Sequence, residues 1–284
     1  MIDFIKTNLR GMGQVMLQNS ALTGLLFLVG IFYNSWIMGV GALIGLIFST
    51  VFAFLLKYNK EDISNGLYGF NGALVGLALT YFFNFNFVLI VLIILFSIFT
   101  TYIMHVMHSR KLSPFTFSFV FSSWIAIFFI NYLNLVEKNI HETISSLNLN
   151  IFSSFSMSFG QVMFQISIIA GILFFIGILF NSRLSALYGF IGFIAGMFVG
   201  LLISDQIDLI NMGVFGFNAV LCGVAFSNEK KYAFIFVLFS SIISVFIMNE
   251  FLYFNLIALT MPFVLATWVT MFLKNKIVYN EKIV

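Results

Sequence analysis

Residues 11–35, GMGQVMLQNSALTGLLFLVGIFYNS, return at residues 158–182 as SFGQVMFQISIIAGILFFIGILFNS. Gln14 falls over Gln161 and Asn34 over Asn181, an offset of 147 that also carries GLYGFNGALVG (66–76) onto GVFGFNAVLCG (213–223). One register held over more than sixty residues is a duplication. A repeat near half the length of a strongly apolar chain points to a transporter or channel whose path lies between the repeats.

The apolarity decides the solvent. Hydrophobic residues make up 61% of the chain and charged residues 8%, with two prolines, whereas a soluble domain is roughly a quarter charged. Runs such as Trp36–Leu56, Phe87–Met104 and Phe234–Met248 approach the ~20 residues that cross ~30 Å of hydrocarbon as helix. None shows the alternation of a barrel strand, so an all-α integral membrane protein follows. The N-terminus MIDFIKTNLRGMGQ lacks a basic region followed by an apolar core and a small-residue cleavage site, so no removable signal peptide is expected. The single cysteine, Cys222, excludes an intrachain disulfide and offers no metal cluster. The net charge of +3 reads as loop bias rather than nucleic-acid binding, and no cofactor is expected.

Apolar segments are predicted at 4–33, 36–56, 66–82, 86–108 and 112–131, and again at 155–180, 185–204, 212–227, 233–249 and 254–273. If each crosses once from a cytoplasmic N-terminus, Lys6, Arg10, Lys57, Lys60, Arg110, Lys111, Arg183, Lys230, Lys231, Lys274, Lys276 and Lys282 are cytoplasmic and Lys138 alone is outside. The positive-inside rule therefore predicts a multi-pass protein of the cell membrane with both termini cytoplasmic. Five crossings is an odd number, so the second half enters from the other face. The expected fold is two inverted repeats of five transmembrane helices, each with a half-membrane helix, and a pore between them. Residues 1–131 form repeat 1, 132–154 an external linker carrying Glu137, Lys138 and Glu142, and 155–284 repeat 2.

The segments are uneven. Residues 4–33 are too many for one straight span, while Gly66–Thr80 and Gly213–Phe226 are short and punctuated by glycine. Matching short segments read either as broken helices around a substrate site or as close helix packing through glycine. All ten carboxylates fall at segment ends or in loops. Without ionisable groups at mid-membrane, passive movement of an uncharged solute is favoured over ion-coupled transport. His105 and His108 sit beside Arg110 at a helix end, an interfacial place rather than a proton relay.

What remains inside the spans is amide and hydroxyl: Gln14, Gln18, Asn71, Thr116 and Ser118 in one half, Gln161, Gln165, Asn218 and Thr260 in the other. Leu17 and Phe164 follow Gln14 and Gln161 by one helical turn, which predicts a shared face for each pair. Phe70 and Phe217 stand beside Asn71 and Asn218. Among 40 phenylalanines packing is the ordinary role, and membrane amides commonly bond a neighbouring helix. Recurrence at equivalent places in two divergent halves lifts these residues above that background. A narrow slot with apolar walls and polar edges suits a small, flat, neutral solute.

At these residues the chain resembles the urea transporter family. GQVMLQN, GLYGFNGALVG and LSPFTFSF in the first half, with GQVMFQ, GVFGFNAVLCG and LTMPFVLAT in the second, are similar to that family's repeated signatures and cover nearly the whole chain. The resemblance implies a homotrimer with one pore per protomer, ten spans plus two half-membrane helices, and passive, selective permeation of urea. By motif, Gln14 and Gln161 match the polar residues of the outer and inner urea sites. Leu17, Phe70, Phe164 and Phe217 match the walls of two apolar slots, and Thr116 and Thr260 the paired central threonines. Three residues depart from the pattern: Leu17 where an aromatic is common, Ser118 where the first half usually has the proline that Pro262 supplies in the second, and Gln161 where some members carry Glu. Another short amide or ammonia is the alternative solute. A membrane enzyme lacks the nucleophile, metal cluster or acid–base pair it needs, and a scaffold leaves the paired Gln and Thr unexplained.

Overall fold

The computed structural model describes residues 2–140, 148–229 and 231–281. Glu142, Lys230 and Lys282 lie outside the described residues. The first half runs α1 (Ile2–Gln14), α2 (Ala21–Asn34), α3 (Trp36–Leu55), α4 (Lys60–Ser64), α5 (Gly69–Phe82), α6 (Phe87–Ser109) and α7 (Phe117–Leu133). The second runs α8 (Ile151–Gly160) with a 3₁₀ turn (Gln161–Met163), α9 (Ile168–Asn181), α10 (Arg183–Ile203), α11 (Ile207–Asn211), α12 (Phe217–Phe226), α13 (Ala233–Tyr253) and α14 (Met261–Glu281). α2 and α9, and likewise α4 and α11, begin and end at residues 147 apart.

Polar residues between the apolar runs set these boundaries. Ser20, Ser35, Ser167 and Ser182 stand at N-caps, each accepting a backbone N–H from three residues on. Asn86 and Asn150 do the same for α6 and α8. α3, α6, α10 and α13 are long and apolar enough to cross a membrane. The predicted segments 4–33 and 155–180 are each broken into two helices, and in the second half the two pieces meet at 77°. α5 and α12, the short glycine-rich elements, hold 14 and 10 residues.

Glycine governs how closely these helices approach. A Cβ on Gly45 would stand 2.0 Å from the Gly72 carbonyl oxygen, and one on Gly76 2.0 Å from that of Gly41. α3 and α5 therefore touch backbone to backbone, so packing is what the glycines of α5 provide. The breaks lie elsewhere, after Gln14 and Gln161. The two halves meet along α2 and α9 through reciprocal contacts. Phe27 and Phe174, one offset apart, pack edge-on at 5.1 Å. Gly30 receives the Phe174 ring and Gly177 the Phe27 ring, an arrangement in which each partner makes the other's contact.

Hydroxyls buried within the helices are mostly satisfied locally. Thr50, Thr101, Thr267 and Thr270 each donate to the carbonyl four residues back at 2.6–2.9 Å. The described part of the linker is tied down as well: Asn139 donates to the carbonyls of Thr80, Tyr81 and Phe83 at the end of α5, and Asn211 donates to that of Asn148. α2 rests on α1 at Gly24, where a Cβ would lie 1.8 Å from the Leu9 carbonyl oxygen. Backbone cannot yield there. Gly24→Ala is expected to cost roughly 2–3 kcal/mol and to lower the thermal midpoint in detergent well below that of Gly177→Ala. The added methyl at Gly177 meets a movable ring at 3.0 Å. Equal midpoints for the two variants would contradict the α1–α2 contact.

Candidate functional site

Both helix breaks have the same construction. Leu17 and Phe164 have φ of 59°, a left-handed conformation that costs a side chain of this bulk about 1–2 kcal/mol. The turns close by Leu17 N to Gln14 O (2.9 Å) and Phe164 N to Gln161 O (3.1 Å), then Gln18 N to Gly13 O and Gln165 N to Gly160 O. At Gly13 and Gly160 a Cβ would stand 2.5 and 2.3 Å from the returning carbonyls of Gln18 and Gln165, so glycine is required where the chain doubles back. These bends correct the expected shared helical face. Helix α1 ends at Gln14, and Leu17 lies beyond it in left-handed backbone. The second half repeats this with Phe164 after the Gln161–Met163 turn.

Gln18 and Gln165 are joints between the halves. Each donates across its own bend, to Met16 O (2.9 Å) and Met163 O (2.6 Å). Each then accepts from the far end of the opposite half's helix: Asn181 to Gln18 at 2.8 Å and Asn34 to Gln165 at 2.9 Å. The aligned Asn34 and Asn181 were a visible signal for this pairing, since a duplicated polar residue needs a duplicated partner.

Gln14, Leu17 and Phe70 share a cavity of about 510 Å³ with Leu67, Met104, His108, Lys111, Ser113, Pro114 and Phe115. Gln14 is held there by its amide nitrogen, which donates to Asn65 O at 3.0 Å. His108 Nε2 lies 3.3 Å from Asp62 Oδ2 at the rim. The cavity therefore has a charged rim and an apolar floor. In the other half Phe164 faces the rings of Tyr81 (5.3 Å), Phe82 (6.2 Å) and Phe119 (6.5 Å), while Gln161 is half-buried and Phe217 is buried.

At the centre, Thr260 Oγ1 donates to Thr116 Oγ1 at 2.7 Å, bringing together two residues 144 apart in sequence. Two indoles brace this crossing: Trp124 donates to Ile257 O and Trp268 to Ser113 O, both at 2.8 Å. Both threonines follow a left-handed residue, Phe115 (φ 47°) and Leu259 (φ 49°). Paired strain of this kind at matched positions marks backbone held in place by its surroundings. Asn71 and Asn218 stand behind the wall: Asn71 donates to Phe115 O at 3.4 Å, and Asn218 Oδ1 accepts the Phe263 N–H at 3.1 Å. The tryptophans escaped the sequence reading, although Trp124 and Trp268 keep the same offset of 144 as the threonines. Phe119 keeps it too, falling on Phe263, while Tyr81 carried no such signal.

Residues 5–275 match the family described as Urea transporter. Urea transporter 1 of Mus musculus is 26% identical over 242 residues, covering 79% of this chain and 63% of that protein. Urea transporter 1 of Ovis aries is 26% identical over 241 residues with the same coverage of 79% and 63%. The chain thus spans less than two thirds of the length of these relatives.

The reciprocal amides admit a direct energetic test. In a double-mutant cycle, Gln18→Leu and Asn181→Leu are each expected to destabilise the protein, because the first removes the amide that also closes the bend and the second leaves the buried Gln18 oxygen without its partner, and the double variant less than their sum. The coupling should be about 1–2 kcal/mol, read from thermal unfolding in detergent. Additive effects would show that the two side chains do not pair.

Proposed function

The chain belongs to the urea transporter family, and from that premise we propose that it is a passive, selective urea channel in the cell membrane. The observation that carries the reading is the Thr116–Thr260 bond between the halves, near a cavity that Gln14, Leu17 and Phe70 share; in this reading Gln161, Phe164 and Phe217 line the path on the other side of the pair. Urea entering the 510 Å³ cavity places its flat faces against apolar walls and its edge against amide and carbonyl groups. At the centre it exchanges its hydrogen bonds with those of the threonines. An ion has no such exchange: nothing at the threonine pair offsets a desolvation cost of order 20 kcal/mol in the idealised limit, so pore width and hydrogen-bond geometry set selectivity.

Orientation follows from charge. The cavity holding Gln14 also holds Lys111 and His108, and the positive-inside rule makes this mouth cytoplasmic. Gln14 then belongs to the inner site and Gln161 to the outer, the reverse of the order implied by motif. The two halves, residues 1–131 and 155–284, are inverted repeats joined by an external linker, and the family resemblance supports a homotrimer in lipid with one pore per protomer.

Urea flux in proteoliposomes is expected to follow the urea gradient, to ignore proton and sodium gradients and to carry no current; accumulation against the gradient would sink the channel reading. Thr116→Val and Thr260→Val keep shape and delete a hydroxyl, so each should slow flux about ten- to a hundredfold through loss of roughly 1–3 kcal/mol at a dry constriction. Thr50→Val is the control, since that hydroxyl serves only its own helix. Equal impairment of Thr50→Val, or unimpaired threonine variants, would make the pair a packing contact. For topology, in a Cys222→Ala background, Lys57→Cys should react with an impermeant thiol reagent from the cytoplasmic side and Leu149→Cys from outside. The opposite pattern would reverse the orientation.

A further inference from the structure

Four groups at or beside the start of α7 are open; in the second half two of their equivalents bond each other, and Pro262 removes the other two. In α14 the first-turn donors are accounted for: Met261 N bonds Ala258 O, Pro262 has no N–H, Phe263 N bonds Asn218 Oδ1 and Val264 N bonds Thr260 O. In α7, Phe117 N bonds Pro114 O and Val120 N bonds Thr116 O. Among the described residues the N–H groups of Ser118 and Phe119 have no partner, and the N-cap Thr116 supplies none through its side chain. Two side-chain atoms beside them are open as well. Ser118 Oγ and Asn71 Oδ1 belong to residues 0% exposed and make no hydrogen bond. Leaving such groups unpaired costs ~1–3 kcal/mol each, and the second half demonstrates that this fold can avoid it.

We propose that the first turn of α7 is a hydrogen-bonding subsite for the permeating solute, present in one half only and created by serine at position 118. It rests on the channel reading above. Two backbone N–H groups and a hydroxyl converge at the positive end of a helix, which favours a carbonyl oxygen; Asn71 Oδ1 beside them accepts an N–H. That set matches a neutral amide carrying both functions, of which urea is the smallest symmetric case. An anion meets the Asn71 oxygen and is disfavoured, and a cation meets three donors. The subsite lies two residues beyond Thr116, whose hydroxyl is taken by Thr260, and its open side chains are buried, so in this proposal a solute reaches it by displacing the threonine bond. Solute then binds asymmetrically at the centre of the pore.

Ser118→Pro restores the second-half pattern, removing both a backbone donor and the hydroxyl at a helix position where proline is tolerated. Stopped-flow flux of urea and thiourea in proteoliposomes is the readout, because sulfur is a weaker acceptor than oxygen. Ser118→Pro is expected to slow urea roughly tenfold and thiourea less, so that the ratio of the two falls. An unchanged urea flux, or an equal loss for both solutes, overturns the subsite. Should the proline variant fail to insert, Ser118→Ala decides: a loss of about threefold in urea flux with a reduced ratio supports the subsite, and parental behaviour overturns it. Absence of urea flux in the parent protein defeats the channel reading itself, a separate result from a parent that conducts while both serine variants match it.

Discussion

A backbone group inside a bilayer has no water to turn to, and every departure from straight helix in this chain must be healed by the protein itself. The bends after Gln14 and Gln161 free carbonyls that a continuous helix would have used. Gln18 and Gln165 take up that task, donating to Met16 O and Met163 O. Their remaining oxygens accept from Asn181 and Asn34 of the opposite half. The amide that heals a break is therefore also the joint between the halves, so neither can be lost without the other.

The same economy shapes the centre. In the proposed channel, helices ending near mid-membrane leave polar groups where a solute path needs them, and tertiary contacts hold those ends in place. Trp124 and Trp268 reach across to the opposite half's loop carbonyls, fixing α7 and α14 so that Thr116 meets Thr260. Left-handed residues before each threonine, and at Leu17 and Phe164, gather strain around this path, and the bracing keeps it there. The two halves differ in charge near the site. Lys111 and His108, which line the Gln14 cavity, correspond at the offset of 144 to the uncharged Asn255 and Leu252. In the proposed channel the mouth beside Gln14 carries charge and the threonine pair beyond it does not.

Much of the site was legible because a duplication repeats its message. Gln14 with Gln161, Phe70 with Phe217 and Thr116 with Thr260 could be paired by offset alone, and the threonines do touch. The reading of Gln14 with Leu17 as neighbours on one helical face failed for a physical reason: a period of 3.6 holds only while the helix continues, and nothing local in GQVMLQN announces that Leu17 takes a positive φ. The short glycine-rich segment at residues 66–80 left breakage and close packing both open, and its glycines serve the α3–α5 contact. Glycine permits close approach and bending equally, and which one occurs depends on the helix lying opposite.

What the sequence by itself determined is the helical membrane character, the duplication, the distribution of basic residues and the identity of the paired polar groups. These follow from composition, period and offset, which are properties of the chain in one dimension. Where the helices break, which amides clamp and which face the cavity, and the direct meeting of Thr116 with Thr260 were decided only by the tertiary structure. The clamping amides and the threonines depend on partners more than a hundred residues away and Gln14 on one 51 residues away, and the energy of a buried hydrogen bond belongs to the pair and to neither residue alone.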